Sequence, residues 1–160
     1  MAFDARAKLG VIAFAAILLG AALMHSGALR ISGVAPNLVL VALVVFSFFS
    51  ENILFFVVLT LFAGVLVRAT PTVFDPLATV TTVLALLVFL LERRVVWPGL
   101  LGTAIMVGLT TLLTYLAIDP GFLWQHFGLV TAELLYNIAI GLVLFELVNW
   151  LVGRSVRNTR

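Results

Sequence analysis

The sequence contains no cysteine, and charged residues occupy only 10% of its 160 positions. The missing cysteine excludes disulfides, thiolate metal ligands and a cysteine nucleophile. A soluble domain usually carries about 25% charged residues. No soluble fold of this length could bury the 64% of residues that are hydrophobic. The composition therefore predicts an integral membrane protein.

The signatures of common enzymes and cofactor-binding proteins are missing as well. The sequence has no P-loop, no GxGxxG before a helix, no HExxH and no CxxC. Its two histidines, His25 and His126, are far apart and have no companion ligands nearby in the sequence. We therefore expect a protein that is not an enzyme and holds no metal or cofactor. The net charge of +2 is thinly spread, which is typical of membrane anchoring and not of nucleic-acid binding.

What the sequence does contain is a series of apolar segments, which predict six transmembrane helices in one domain spanning residues 1–160. They lie at approximately residues 9–29, 37–50, 53–68, 77–91, 99–118 and 127–152. A full span needs about 20 residues, so the second and third segments are short. They either cross a thinned bilayer or form a partly re-entrant pair. The predicted fold class is an all-α polytopic membrane protein built from helical hairpins.

The stretch from residue 36 to residue 76 is expected to form the centre of this fold. Its two runs are apolar on every side and are separated by a short polar segment, Ser50-Glu51-Asn52. A helix without a polar face belongs in a large core or in lipid. We predict a tight helical hairpin with the other helices packed around it. Pro36-Asn37 opens its first helix, and either Ser50 or Asn52 caps its second.

Two further Asp-Pro pairs mark boundaries in the second half of the chain. Asp75-Pro76 predicts an N-cap followed by a first-turn proline at the start of the fourth helix. Asp119-Pro120-Gly121 predicts a turn before the last helix.

The basic residues predict the orientation of the chain. With six spans both termini lie on one side, and seven of the nine basic residues fall on that side: Arg6, Lys8, Arg93, Arg94, Arg154, Arg157 and Arg160. Only Arg30 and Arg68 fall opposite. Because cytoplasmic loops carry an excess of Lys and Arg, we expect both termini in the cytoplasm.

Polar residues inside the spans are the candidate functional residues, because they are costly in hydrocarbon. Glu133 and Asn137 lie four residues apart and so share one helix face, which Gly141 continues. Glu133 and Arg68 are predicted at similar depth and could pair. These groups either join helices of this chain or of a partner, or they line a small-molecule or ion pocket together with Tyr115. A permease would need a second polar layer, which the sequence does not offer.

The first span carries small residues at three- and four-residue spacing, at Ala13, Ala16 and Gly20. Such spacing permits close packing of helices in a membrane. Ala16 and Gly20 are therefore candidates for a surface that contacts a partner, although an ordinary alanine-rich face towards lipid would look the same.

Several of these features together resemble the MreD family of rod shape-determining membrane proteins. The resemblance rests on Pro36-Asn37-Leu38 before an apolar span, the polar segment at residues 50–52, Gly64 in the next span, and the polar pair Glu133 and Asn137 in the last span. It covers most of the chain in layout, but in motif only residues 36–76 and 133–137.

The resemblance implies a non-enzymatic scaffold in the cell-wall elongation machinery of a bacterial inner membrane. Such a protein binds the bitopic protein MreC, and through it the MreB filament, RodA and a class B penicillin-binding protein. The family is also similar in fold to the substrate-binding S-components of energy-coupling-factor vitamin transporters. An S-component is therefore the alternative expectation, with Ala16 and Gly20 on its docking surface.

Overall fold

A computed structural model of the protein describes residues 5–31, 33–67, 75–95 and 99–152. These residues form seven helices: α1 (Ala5–Ser26), α2 (Leu38–Phe49), α3 (Ile53–Val67), α4 (Pro76–Glu92), α5 (Gly99–Ile118), α6 (Pro120–Gln125) and α7 (Phe127–Val152). The one extended feature among them is an isolated antiparallel bridge between Ile31 and Val34. The predicted all-helical fold is confirmed, and its six apolar segments correspond to α1–α5 and α7.

Within the described residues, three helices are long and apolar enough to cross a membrane: α1, α5 and α7. The other three apolar helices are shorter, with 12 residues in α2, 15 in α3 and 17 in α4. At 1.5 Å per residue, α2 is roughly 18 Å long, well under the roughly 30 Å of a bilayer's hydrocarbon core. The chain is thus an apolar helical protein with three candidate membrane spans.

The centre of the fold is α2 alone. All of its residues except Phe48 are buried, and it is in contact with α1, α3, α4, α5 and α7. This burial explains why its sequence has no polar face, because the helix meets neither water nor much lipid. Its single internal polar side chain, Ser47, is satisfied by donating to its own helix, at the Val44 carbonyl, over 2.7 Å.

The tight hairpin predicted for residues 36–76 differs from the structure in its second helix. α3 packs more extensively against α4 than against α2, and it leaves one stripe exposed at Leu54, Val58, Leu61 and Val65. Its apolar composition reflects this exposed stripe as well as its buried face. Two similarly apolar helices therefore have different environments, α2 enclosed by protein and α3 at the surface.

The helix starts are fixed by capping side chains. Asn37 accepts a hydrogen bond from the Leu40 N–H over 3.1 Å and caps α2. Asn52 accepts from the Leu54 N–H over 2.9 Å, so Asn52, and not Ser50, supplies the cap of α3.

The two Asp-Pro pairs behave alike. Asp75 and Asp119 each cap a helix whose first residue is the following proline, Pro76 or Pro120. The predicted helix start at residue 75 is confirmed. The predicted turn at residues 119–121 is wrong, because the same chemistry that favours a turn begins the short helix α6.

Consecutive apolar helices alternate in direction, which gives the bundle two distinct ends. At one end, α1 approaches the start of α2, where a Cβ at Gly20 would lie 3.2 Å from the Leu38 Cβ. At the other end, the Arg93 guanidinium donates to the Glu51 carbonyl and lies 4.3 Å from the centre of the Phe89 ring. We call these the Asn37 end and the Arg93 end.

Candidate functional site

Five of the eight residues predicted as candidates meet in one cavity at the Asn37 end. The cavity has a volume of about 420 Å³, and its lining includes Pro36, Asn37, Tyr115, Glu133 and Asn137. These residues come from the start of α2, the first half of α7 and the end of α5. Antiparallel packing brings these three segments together, although they lie as far as 101 positions apart in sequence.

Asn137 is fully buried and joins three helices. Its side-chain oxygen accepts a hydrogen bond from the Asn37 N–H over 3.0 Å, and its amide nitrogen donates to the Thr111 hydroxyl over 3.1 Å. The first contact satisfies a backbone donor at the start of α2 that no helical carbonyl can reach. These two partners determine which atom of the Asn137 side-chain amide is the oxygen and which is the nitrogen. Asn137 therefore fixes the start of the central helix against α5 and α7.

Thr111 is the partner that sequence reasoning missed. It is one of several buried threonines on α5, and its hydroxyl also donates to the Val107 carbonyl of its own helix over 2.8 Å. That donation leaves the oxygen lone pairs free to accept from Asn137. A recurrent threonine pattern on α5 (Thr103, Thr110, Thr111, Thr114) was the signal that could have drawn attention to this face.

Glu133 is held by Tyr115 at the wall of the cavity. The Tyr115 hydroxyl donates to one carboxylate oxygen of Glu133, and the Tyr115 ring stacks on Phe122 with centres 5.8 Å apart and planes 9° apart. The predicted pairing of Glu133 with Arg68 cannot be compared with this geometry, because Arg68 lies outside the described residues. Tyr115 was predicted as a pocket residue, and it does line the cavity.

The charged residues among the described lining of the cavity are all acidic. Glu133 and Asp119 both line it, and none of the described lining residues is Lys, Arg or His. Asp119 also caps α6 by accepting from the Phe122 N–H over 2.9 Å. Most of the remaining lining is apolar, and includes Met24, Leu40, Leu77 and Ile118. The cavity is therefore an apolar space with two carboxylates and two aromatic rings in its wall.

Ala16 and Gly20, the remaining two candidates, lie elsewhere. They line an open groove of about 370 Å³ between α1, α2 and α7, whose lining is entirely apolar. We call it the apolar groove. It has small residues on all three helices, at Ala16, Gly20, Ala42 and Ala139, with leucines, a valine and an isoleucine between them. Gly20 also permits the close approach of α1 to Leu38.

Metal ligands do not gather anywhere in the part of the chain that the structure describes. No group of three or more His, Cys, Asp or Glu side chains occurs there. His25 Nδ1 lies 2.7 Å from the Ala21 carbonyl oxygen one turn earlier, so the imidazole ring has a hydrogen-bond partner within its own helix.

Comparisons of the chain with protein-family models, with curated proteins and with solved structures found no match. The cavity at the Asn37 end and the apolar groove are thus the two features from which a function can be proposed.

Proposed function

We propose that this protein is a non-enzymatic membrane scaffold that binds a single transmembrane helix of a partner in its apolar groove. The observation that supports this most is the groove itself, which is concave, wholly apolar and lined by small residues from three helices. Helices associate in lipid mainly through close packing, and small side chains let two backbones approach.

The identity of the partner comes from the family resemblance. Residues 36–76 and the pair Glu133 and Asn137 resemble the MreD family, so the proposed partner is an MreC-type bitopic protein. Through it the chain would act on MreB, RodA and a class B penicillin-binding protein during cell-wall elongation. Ala16 and Gly20, proposed from the sequence as contact residues, lie in the groove, in keeping with this role.

The proposed topology has six spans and both termini in the cytoplasm of a bacterial inner membrane. It is supported by the alternating direction of consecutive apolar helices and by the excess of basic residues at the Arg93 end and the termini. The short α2 is compatible with it because protein surrounds this helix, so its length need not match the hydrocarbon.

Cysteine labelling tests this topology directly, because the natural chain has no cysteine. Ser26→Cys and Val95→Cys place one thiol at each end, at exposed positions, and leave the basic residues unchanged. In cells whose outer membrane has been permeabilised, a maleimide that cannot cross the inner membrane should label S26C at once. It should label V95C only after the inner membrane is opened as well. The reverse pattern, or equal labelling of both, would contradict the topology.

A substitution that fills the groove should weaken partner binding. Ala139 lies in the groove wall and is exposed, so Ala139→Leu adds volume where the partner helix would pack, at little cost to the fold. We expect recovery of a co-produced MreC-type partner to fall at least about fivefold, since overpacking an interface costs roughly 1–3 kcal/mol. The readout is quantitative co-purification in mild detergent.

Ala117→Leu is the matched control for this substitution. Ala117 is exposed on α5 and does not line the groove, so the same change there should leave recovery within about twofold. Equal recovery with A139L and A117L would remove the groove as the docking site.

A second candidate function is supported by the cavity at the Asn37 end. Its volume of about 420 Å³ lies in the range of small-molecule sites, roughly 300–1,000 Å³. Because the resemblance also implies a fold similar to that of S-components, the alternative function is a substrate-binding S-component of an energy-coupling-factor vitamin transporter. Recovery of paired ATPases with a transmembrane coupling subunit from native membranes would favour this function, whereas recovery of a bitopic protein with cell-wall synthases would favour the scaffold.

A further inference from the structure

The cavity at the Asn37 end has a lining that specifies the charge of a ligand. Its polar groups include the carboxylates of Glu133 and Asp119, the Tyr115 hydroxyl and the side chains of Asn37 and Asn137. Most of these groups are already engaged within the protein: Asn37 caps α2, and Asn137 bonds to the Asn37 N–H and to Thr111. The negative charge in the wall has no basic partner among the described lining residues.

We propose that this cavity binds a small organic cation with an apolar body. The proposal goes beyond the scaffold function and holds whether or not the chain docks on a transporter module. It rests on three properties of the cavity: the sign of its charge, the aromatic rings beside that charge, and its apolar remainder.

The sign of the charge follows from Glu133. Its carboxylate is partly buried between α5 and α7, where its neutral hydrogen-bonding neighbours are the Tyr115 hydroxyl and the Asn137 side chain. Neither a hydroxyl nor an amide neutralises the charge, and a carboxylate within a helical bundle in lipid is costly unless a countercharge is near. A cationic ligand supplies that countercharge, and Asp119 at the same cavity adds to the attraction. An anionic ligand would meet two like charges instead.

The aromatic rings favour an organic cation over a metal ion. Tyr115 and Phe122 lie parallel to each other and both line the cavity beside Glu133. Ring faces attract cations, most strongly when water is excluded, and organic ammonium groups are recognised in this way. A bare divalent ion would instead need several oxygen ligands, and the described residues hold no cluster of three acidic or histidine side chains.

The apolar remainder of the lining defines the rest of the ligand. Leu40, Leu77, Ile118 and Met24 form much of the wall, so they would pack against a hydrocarbon or aromatic body. The ligand class is therefore an amphipathic amine or quaternary ammonium compound with one charged group, and not a sugar or a nucleotide, whose many polar groups would find few partners here.

Calorimetric titration of the purified full-length chain in detergent micelles tests the proposal. The probe is 4-phenylbutyltrimethylammonium, and its counterpart is 4-phenylbutanesulfonate, which has the same apolar body and the opposite charge. Heats from empty micelles are subtracted for both. We expect saturable binding of the ammonium compound and at least about tenfold weaker binding of the sulfonate. Absence of saturable ammonium binding, or equal binding of the two probes, would overturn the proposal.

Substitutions then assign the binding to this cavity. Glu133→Gln keeps the side-chain volume and an acceptor for Tyr115 but removes the charge, so ammonium affinity should fall about tenfold. The matched control is Glu146→Gln, on the exposed face of the same helix and outside the cavity lining, which should change affinity less than twofold. Asp119→Asn, at a solvent-exposed position of the cavity lining, gives a second variant should E133Q fold poorly, and should weaken binding severalfold. Equal affinities for E133Q, D119N and E146Q would refute the assignment, while partner co-purification remains an independent test of the scaffold.

Discussion

Replacing Asn137 with leucine is expected to destabilise the protein by about 2–3 kcal/mol. Leucine fills a similar volume, so the change removes hydrogen bonds without leaving a hole. It leaves the Asn37 N–H and the Thr111 hydroxyl without the partner they have at Asn137, and an orphaned buried polar group costs roughly 1–3 kcal/mol. For each of the two groups the lower part of that range applies, about 1–1.5 kcal/mol, because hydrogen bonds between membrane helices are usually worth less than those in soluble cores. The two groups together give the expected loss. The measurement is the free energy of unfolding in mixed micelles titrated with sodium dodecyl sulfate.

Asn149→Leu is a control on the same helix with the opposite expectation. The Asn149 side-chain oxygen is buried without a hydrogen-bond partner among the described residues. Replacing it with leucine removes a cost instead of a bond, so stability should stay unchanged or rise by a few tenths of a kcal/mol. If N137L and N149L lowered stability equally, the three-helix connection through Asn137 would have no special energetic role.

Replacing Gly141 with leucine is expected to cost about 3 kcal/mol or more, and some preparations should fail to fold. Even a single Cβ at this position would lie 3.0 Å from Val107 Cγ2 and 3.5 Å from Val41 Cγ1. A leucine side chain adds three more carbon atoms in the same direction, so α7 must move away from α2 and α5. Overpacking of a filled core usually costs 1–3 kcal/mol, and more where backbones must separate. Yield of monodisperse protein and the same unfolding titration measure the effect.

Gly128→Leu provides the comparison within α7. A Cβ at Gly128 meets nothing within 4 Å, and leucine favours a helix over glycine by roughly 0.5–1 kcal/mol. Stability should therefore stay the same or rise. A G141L protein as stable as G128L would show that α7 does not pack closely against α2 and α5 at this level.

The sequence alone was sufficient for the helical segments and for part of the site. Apolar runs bounded by Asn37, Asn52 and Asp75 identify helices and their starts, because capping depends on local chemistry. The helical period placed Glu133, Asn137 and Gly141 on one face, and the structure confirms that Asn137 and Gly141 are buried on α7 and that Glu133 lines the same cavity as Asn137.

What the sequence could not supply is which buried groups meet across the bundle. The Asn137 side chain finds the Asn37 N–H 100 positions away, and a backbone donor carries no sequence signal. Thr111 looked like any other helical threonine. The roles of α2 and α3 could not be separated either, because a helix enclosed by protein and one facing lipid have the same apolar composition.

The cavity at the Asn37 end and the apolar groove are both lined by residues at the start of the central helix, α2. Asn37 lines the cavity at the Asn37 end, and the next residue, Leu38, lines the apolar groove. The start of α2 thus separates the proposed cation site from the proposed partner site, and Asn137 holds that start in place. A stable α2 is therefore a common requirement for both sites, and N137L should impair both.

The measurement that tests the scaffold function most directly is disulfide crosslinking in membranes. Because the natural chain has no cysteine, Ala139→Cys provides a single thiol in the apolar groove, and Ala117→Cys provides one at an exposed position of α5 outside the groove lining. Each is produced with an MreC-type protein carrying one cysteine at successive positions of its membrane-spanning helix. The proposal predicts crosslinks from residue 139 that repeat every three to four partner positions, and none from residue 117. Crosslinks from residue 139 to a second copy of this chain alone, or equal crosslinking from both positions, would contradict the proposal.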